Sequence, residues 1–202
     1  MLSQKFDPAN WQKLVDPERA EHLNPERVVV LTGILPGETV VDVGTGVGYF
    51  LQAILTAVGP EGTVYGVDIS QEMLDKVAEE VGESAQVRLV HSQELAIPLE
   101  DNLADHVFVA NVFHEIDPAE RVAFLQELRR LLRPTGRLTL VEWKKEETPH
   151  GPPVEVRLGR EEIVSYLYQA GFRFRRSEAA GPYHYLLQAS LKEGIFGGDL
   201  RP

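Results

Sequence analysis

The sequence predicts one α/β domain: a seven-stranded, mostly parallel sheet with helices on both faces, finished by an antiparallel C-terminal hairpin. Three observations carry this. Short apolar runs alternate with amphipathic stretches from Thr39 to Gln169, the pattern of a parallel sheet with crossover helices. The last two runs, "FRFRRSEAA" and "YHYLLQASL", are separated only by a turn at Gly181-Pro182. No crossover helix fits there, so they must pair antiparallel. The 202 residues, 43% apolar and 25% charged, suit one domain with a full core and are short for two.

The elements follow in order. "DPANWQKLV", "DPERAEHL" and "NPERVVVLTGI" each place Asp or Asn before Pro, an N-cap followed by a proline at the first helical position. Three short helices are expected, the third packing through Val28, Val29, Leu31 and Ile34. "TVVDVG" reads as a buried strand, followed by a glycine loop and a helix over Tyr49–Val58. "GTVYGVDI" is a second strand, and "SQEMLDKVAEEV" a helix capped by Ser70 with Met73, Leu74, Val77 and Val81 on one face. "AQVRLVHS" and "DHVFVANV" are the third and fourth strands. In "DPAERVAFLQELRRLLR", Val122, Leu125, Leu128 and Leu132 recur at helical spacing; Pro134 stops the helix, and "GRLTLVEW" is a fifth strand. "REEIVSYLYQAG" is the last helix. In "FRFRR", Phe172 and Phe174 should face inward and the arginines outward. The expected organisation is an N-terminal helical lid over 1–35 packed on the core, a sheet domain over 36–192 and a tail over 193–202.

Composition narrows the function. The formal charge of -11 should repel a polyanion, because general nucleic-acid binding needs Lys and Arg to displace counterions. No apolar run approaches the roughly 20 residues of a membrane span, so no stable membrane insertion is expected. The N-terminus shows no secretory pattern, and cysteine is absent, which excludes disulfides and thiol chemistry and fits a cytoplasmic setting. A homodimer is among the expected assemblies.

"VVDVGTGVGYF", Val40 to Phe50, ends a buried strand on an acid and then alternates three glycines. At the carboxyl end of a parallel strand, backbone N–H groups can hold an anion, and bare Cα atoms admit close approach. A merely tight turn would need one or two glycines, so Gly44, Thr45, Gly46 and Gly48 read as a ligand loop. A dinucleotide requires G-x-G-x-x-G; here the spacing is G-x-G-x-G, and Tyr49 stands where the third glycine would be. A P-loop needs a lysine that is absent. Asp42 suits a cationic group better than a phosphate, favouring an amino-acid moiety. Asp68 closes the second strand about 20 residues on, where an acid can accept both ribose hydroxyls; Ser70 already caps the next helix. An amino acid and a nucleoside joined without pyrophosphate describe S-adenosylmethionine.

These residues resemble the class I S-adenosylmethionine-dependent methyltransferases, within them the branch of ubiquinone and menaquinone biosynthesis. The resemblance spans about Glu38 to Leu191. It rests on "VVDVGTGVGYF", "VYGVDIS", "AIPLEDNLADHVFVANVFHEI" and "LQELRRLLRPTGRLTLVEW"; the last two are similar to the family's "LPFPDNSFD" and "RVLKPGGRL". It implies the Rossmann-like class I methyltransferase fold and a methyl donor that leaves as S-adenosylhomocysteine. It further implies that Asp42 and the backbone of Gly44 and Gly46 hold the methionine part. Asp68 takes the ribose, and Ile69 packs on the adenine. Gln93 and Glu94 stand where the family has Asp-Ala, so the adenine contact falls on Gln93 or passes to Glu94. Asn111 offers a carbonyl to the methionine ammonium. Thr135 replaces a glycine of the family's turn.

The expected reaction is an in-line displacement, in which positioning matters most, and a hydroxyl acceptor also needs a general base. His114 and Glu115 follow the fourth strand. His114 reads as a base or acceptor-positioning residue, or as a packing or helix-capping histidine. Glu142 ends the fifth strand, in the cleft or beside it, while Lys144 and Lys145 read as solvated loop. No metal is expected: H-E-x-x-H fails at Pro118, and no Asp-Asp-Asn set can be placed. "KKEETPHGPPVEVRLGREE" is long for a connection and is expected to cover a small-molecule acceptor together with the N-terminal helices. Trp11, His150 and Arg157 are candidates to line it or to serve structure alone. A non-catalytic S-adenosylmethionine-binding protein and an NAD(P)-dependent reductase are the competing classes.

Overall fold

The computed structural model describes residues 7–14 and 16–192. The expected tail over 193–202 lies outside the described residues, as do residues 1–6. Seven strands, β1 (Thr39–Val43), β2 (Thr63–Asp68), β3 (Val87–His91), β4 (Ala104–Ala110), β5 (Leu132–Trp143), β6 (Phe172–Ala179) and β7 (His184–Leu191), form one sheet in the order β3-β2-β1-β4-β5-β7-β6. The first five pair in parallel, and β7 runs antiparallel to both β5 and β6, as the turn at Gly181-Pro182 requires. Strand order reverses between β1 and β4, which opens a crevice at their carboxyl ends.

Side-chain alternation along β1 divides its burden between two cores. Val41 and Val43 join Tyr65, Val107 and Leu140 on one face, covered by α5 (Arg121–Leu131) through Phe124 and Leu128 and by α6 (Arg160–Gln169) through Ile163 and Leu167. Val40 joins Val64, Phe108 and Leu186 on the other, covered by α2 (Pro25–Thr32) through Val28 and Val29 and by α3 (Leu51–Val58) through Leu51 and Ile54. Asp42 shares the face of Val40, so an ionisable group sits at the rim of an apolar layer.

The expected caps form. The Asp16 side chain accepts from Glu18 N at 2.9 Å at the start of α1 (Pro17–His22), and Asn24 accepts from Arg27 N at 2.8 Å at the start of α2. Ser70 caps α4 (Gln71–Val81), whose Met73, Leu74 and Val77 are buried. The first expected helix is instead a 3-10 segment, Pro8–Leu14, broken at Asn10 (φ -97°, ψ 17°). α5 ends at Leu131, before its proline, and Leu132 already has extended geometry (ψ 134°). Pro134 disfavours helical geometry at Arg133, so Leu132 buries itself from the strand rather than completing the helical stripe. In β6 the register shifts between Phe174 and Arg176; the inward-outward alternation therefore holds for Phe172 to Phe174 and breaks after it.

The connection between β5 and α6 is organised by one side chain. The guanidinium of Arg157, 3% exposed, donates to the carbonyls of Pro152 (2.8 Å), Lys144 (3.2 Å), Glu146 (2.8 Å) and His150 (3.0 Å) and to Thr148 Oγ1 (2.8 Å). It also lies 5.2 Å from the Trp143 ring centroid. Arg157 is thus a structural staple, not a group facing the cleft. Arg157→Ala is expected to lower unfolding free energy by about 2 kcal/mol or more, since charged donors are lost from several carbonyls at once. Limited proteolysis read by mass spectrometry should then find its first cuts between residues 144 and 157; a loop that stays protected would contradict the assignment.

Candidate active site

A cleft of about 1070 Å³ opens at the carboxyl ends of β1, β2, β4 and β5. Asp42, Gly44, Thr45, Gly46, Asp68, Ile69, Gln93, Glu94, Asn111 and His114 all border it, ten residues drawn from four separate stretches of chain. Gly48 and Glu142 do not. Gly48 has φ +81°, and a Cβ there would meet Val77 Cγ2 at 3.4 Å, so its task is the turn and its packing under α4. Trp11 is also away from the cleft, with Lys76 of α4 4.4 Å above its ring. Lys145 is exposed, as expected of a solvated loop, and lies 3.4 Å from Glu162 at the surface.

The glycine loop differs from an anion cradle. Gly44 N and Thr45 N donate to Val67 O (2.8 and 3.0 Å), and Gly48 N to Thr45 O (2.9 Å). Gly46 N donates to Asp68 Oδ2 at 2.8 Å. With these N–H groups committed internally, the loop has carbonyl oxygen to offer a ligand, which suits an ammonium and not a phosphate. All three glycines have positive φ. At Gly44 a Cβ would also lie 2.3 Å from Val112 Cγ2, so that position admits no side chain without moving the start of the segment after β4.

The two acids are linked through this loop. Asp42, 2% exposed, accepts from Thr45 Oγ1 at 2.7 Å. Burial drives its carboxyl up to about 7, the Thr45 hydrogen bond opposes that, and Asp68 adds to it; a nearby cation would favour its ionised form. Asp68 accepts from Gly46 N and from Ser70 N (2.9 Å). Burial raises its carboxyl as well, against those backbone donors. Ile69 beside it is 46% exposed, an apolar shelf at the cleft mouth. Gln93 and Ala96 form an isolated antiparallel bridge, which turns the chain after β3 so that Gln93 and Glu94 stand at the same end as Ile69.

Across the cleft, Asn111 follows β4 with φ 57°. Its Oδ1 is buried with no hydrogen-bond partner among the described residues, the kind of acceptor that a ligand can satisfy. The next turn, Phe113–Glu115, brings His114 onto the carboxylate that ends β5. His114 Nδ1 lies 2.7 Å from Glu142 Oε2, and His114 N donates to Glu142 Oε1 at 3.3 Å. The pair is almost dry, at 7% and 1% exposure. Burial would lower the imidazole, but the Glu142 charge and hydrogen bond, helped by Glu115 against Arg121, hold it above its ordinary value. Glu142 therefore stands behind the cleft wall and His114 at its surface.

Of the remaining wall, the sequence singles out His150 as a candidate but not His22 or the role of Trp143. Trp143, His22 and His150 border the cleft, with His22 stacked on His150 at 5.1 Å between ring centroids. Antiparallel pairing sets Trp143 opposite His184, their rings 3.9 Å apart. Leu14 and Arg19 from the N-terminal segment complete the rim.

Known proteins resemble this chain in sequence and fold. The sequence model of the family described as "Methyltransferase domain" matches residues 40–136. A structure of a SAM-dependent methyltransferase from Aquifex aeolicus is 40% identical, with a TM-score of 0.86, covering 92% of this chain and 98% of that one. The demethylmenaquinone methyltransferase of Staphylococcus aureus is 34% identical over 148 residues, 73% of this chain; the chain spans 59% of that relative's length. Human N-acetylserotonin methyltransferase, solved in complex with SAM, shares the fold at 18% identity and a TM-score of 0.70, covering 92% of this chain and 56% of that one.

Proposed function

We propose that this chain, which belongs to the class I S-adenosylmethionine-dependent methyltransferases, methylates a small-molecule acceptor at an ionisable hydroxyl. Membership in the family implies S-adenosylmethionine as the methyl donor. The residues present fit that group: an unpartnered buried carbonyl at Asn111, loop carbonyls in place of loop N–H donors, and an acid at the end of β2 beside an apolar shelf. In this reading Asn111 and the Gly44 and Gly46 carbonyls receive the ammonium, with Asp42 behind them as counter-charge. Asp68 receives the ribose hydroxyls, Ile69 packs on the adenine, and Gln93 and Glu94 meet its edge.

The donor supplies a methyl carbon on a sulfonium; the acceptor–carbon bond forms as the sulfur–carbon bond breaks, and sulfur keeps the pair. His114 takes the acceptor's proton, on the ring nitrogen not bonded to Glu142. Glu142 fixes the ring and stabilises the imidazolium that results. The observation that carries the reading is this buried His114–Glu142 pair opening on the same cleft as the glycine loop. The cleft, at about 1070 Å³, lies just past the upper end of the range of about 300–1,000 Å³ usual for small-molecule sites, which favours a small acceptor over a macromolecule. Trp143, His22 and His150 offer flat rings on the acceptor side. The Staphylococcus relative's name, demethylmenaquinone methyltransferase, gives that protein a quinone acceptor and not a protein or nucleic acid. The N-terminal segment and the stapled loop form the lid.

The test is labelled methyl transfer from S-adenosylmethionine into a pooled metabolite extract. Label should appear in a small molecule, as an ether methyl. Binding of S-adenosylhomocysteine without any transfer would favour a sensor. Binding of NADH alone would remove the methyl donor from the account.

A further inference from the structure

The side-chain amide of Asn111 has two ends, and the ammonium reading of the cleft requires its oxygen to face the ligand. What decides its orientation is the group at its other end. Asn111 Nδ2 stands 3.4 Å from Nε2 of His184, a residue brought there by the pairing of β7 with β5, 73 positions away in sequence. We propose that His184 is a positioning residue for the amino-acid end of the methyl donor. Its Nε2 lone pair takes an N–H of Asn111 and so leaves Oδ1 turned toward the ammonium. The inference rests on the reading of Asn111 as the ammonium's acceptor.

The surroundings of the ring hold it neutral, which this role requires. His184 is fully buried, its ring packed against Trp143 at 3.9 Å and stacked on His22 at 6.0 Å with 8° between planes. Burial, with His22, Arg19, Arg157 and His114 as further opposing neighbours, pushes it down to about 3. It therefore stays neutral wherever the protein is folded and active, with one lone pair and one N–H. Were the ring protonated at Nε2, that nitrogen would become a donor, and the amide would turn its oxygen inward. The ligand's ammonium would then meet the Asn111 NH₂, donor against donor. The working tautomer carries its proton on Nδ1, which has no hydrogen-bond partner among the described residues. An N–H left there without an acceptor opposes this tautomer, so the tautomer is itself what the ¹⁵N measurement decides.

The experiment compares two ligands. S-adenosylhomocysteine carries the amino-acid end, and 5′-methylthioadenosine shares the nucleoside but lacks it. His184→Leu should weaken S-adenosylhomocysteine about tenfold, the scale of one hydrogen bond to a charged group, and leave methylthioadenosine unchanged. His184→Gln, whose amide oxygen can accept the same N–H, should restore most of the loss. In ¹⁵N spectra of the wild-type protein, His184 should show an unprotonated Nε2 and no titration across the neutral range. Equal affinity of wild type and His184→Leu for S-adenosylhomocysteine overturns the inference. So does a loss shared equally by both ligands in both variants, which would make His184 packing alone, and so does a protonated Nε2. Asn111→Ala separates the two levels. If Asn111→Ala discriminates between the ligands and His184→Leu does not, only the positioning role fails. If Asn111→Ala does not discriminate, the ammonium reading fails with it.

Discussion

His114→Asn is expected to lower kcat by about 10²–10⁴-fold, the usual share of a positioned acid–base group, with S-adenosylhomocysteine affinity nearly unchanged. The substitution keeps a polar side chain at a position 7% exposed but removes the nitrogen that accepts the acceptor's proton. Glu142→Gln tests the same pair through its pH dependence. Burial by itself would lower the imidazole; the Glu142 carboxylate and its hydrogen bond reverse that. Removing the charge leaves burial dominant, so the acid limb of the kcat profile should move to lower pH while the plateau falls, because the imidazolium formed in transfer loses its counter-charge. Stability carries the matching sign. A histidine held above 6.5 in the folded state adds stability that is full below that pH and is lost as pH rises through the folded value. Glu142→Gln should therefore destabilise more in acid than in alkali. A wild-type rate in His114→Asn would remove the base from the mechanism. An unmoved acid limb in Glu142→Gln would detach Glu142 from it.

Asp68→Ala is expected to weaken S-adenosylhomocysteine by about 10²–10⁴-fold, the combined scale of two hydrogen bonds to a charged acceptor. Asp68 has a second task, since it also takes the N–H groups of Gly46 and Ser70, and its loss releases the glycine loop. Affinity alone would not separate ribose recognition from loop order. The ribose-deoxygenated analogue does. Wild type should prefer the natural nucleoside, and Asp68→Ala should bind both alike, with the circular dichroism of the folded sheet retained. If the variant still prefers the hydroxylated ligand, another group reads the ribose.

Much of this was legible in the chain because it is local. Helix starts were written in Asp16, Asn24 and Ser70, whose caps span two or three residues. The hairpin was written in the shortness of the Gly181-Pro182 turn. Asp42 and Asp68 were readable because one is next to last in its strand and the other ends its own, and the parallel register of β1 with β2, Asp42 opposite Gly66, sets both strand ends beside the loop. Local signals failed where two rules competed, as at Leu132, where helical periodicity lost to the conformational demand of Pro134.

The sequence by itself determined the layered sheet, its closing hairpin, the glycine loop and the two acids around it, because periodicity, capping and turn chemistry act over a few residues. Only the tertiary structure decided the chemistry of the opposite wall. His114 and Glu142 are 28 positions apart and Asn111 and His184 are 73 apart; no spacing encodes such pairs, which arise from strand order and register. The same holds for the loop N–H groups, whose commitment to Val67 and Asp68 turns an apparent anion cradle into a set of carbonyls. Desolvation completes the division, since the charge state of a buried imidazole or carboxyl depends on what the fold packs around it and not on its neighbours in the chain.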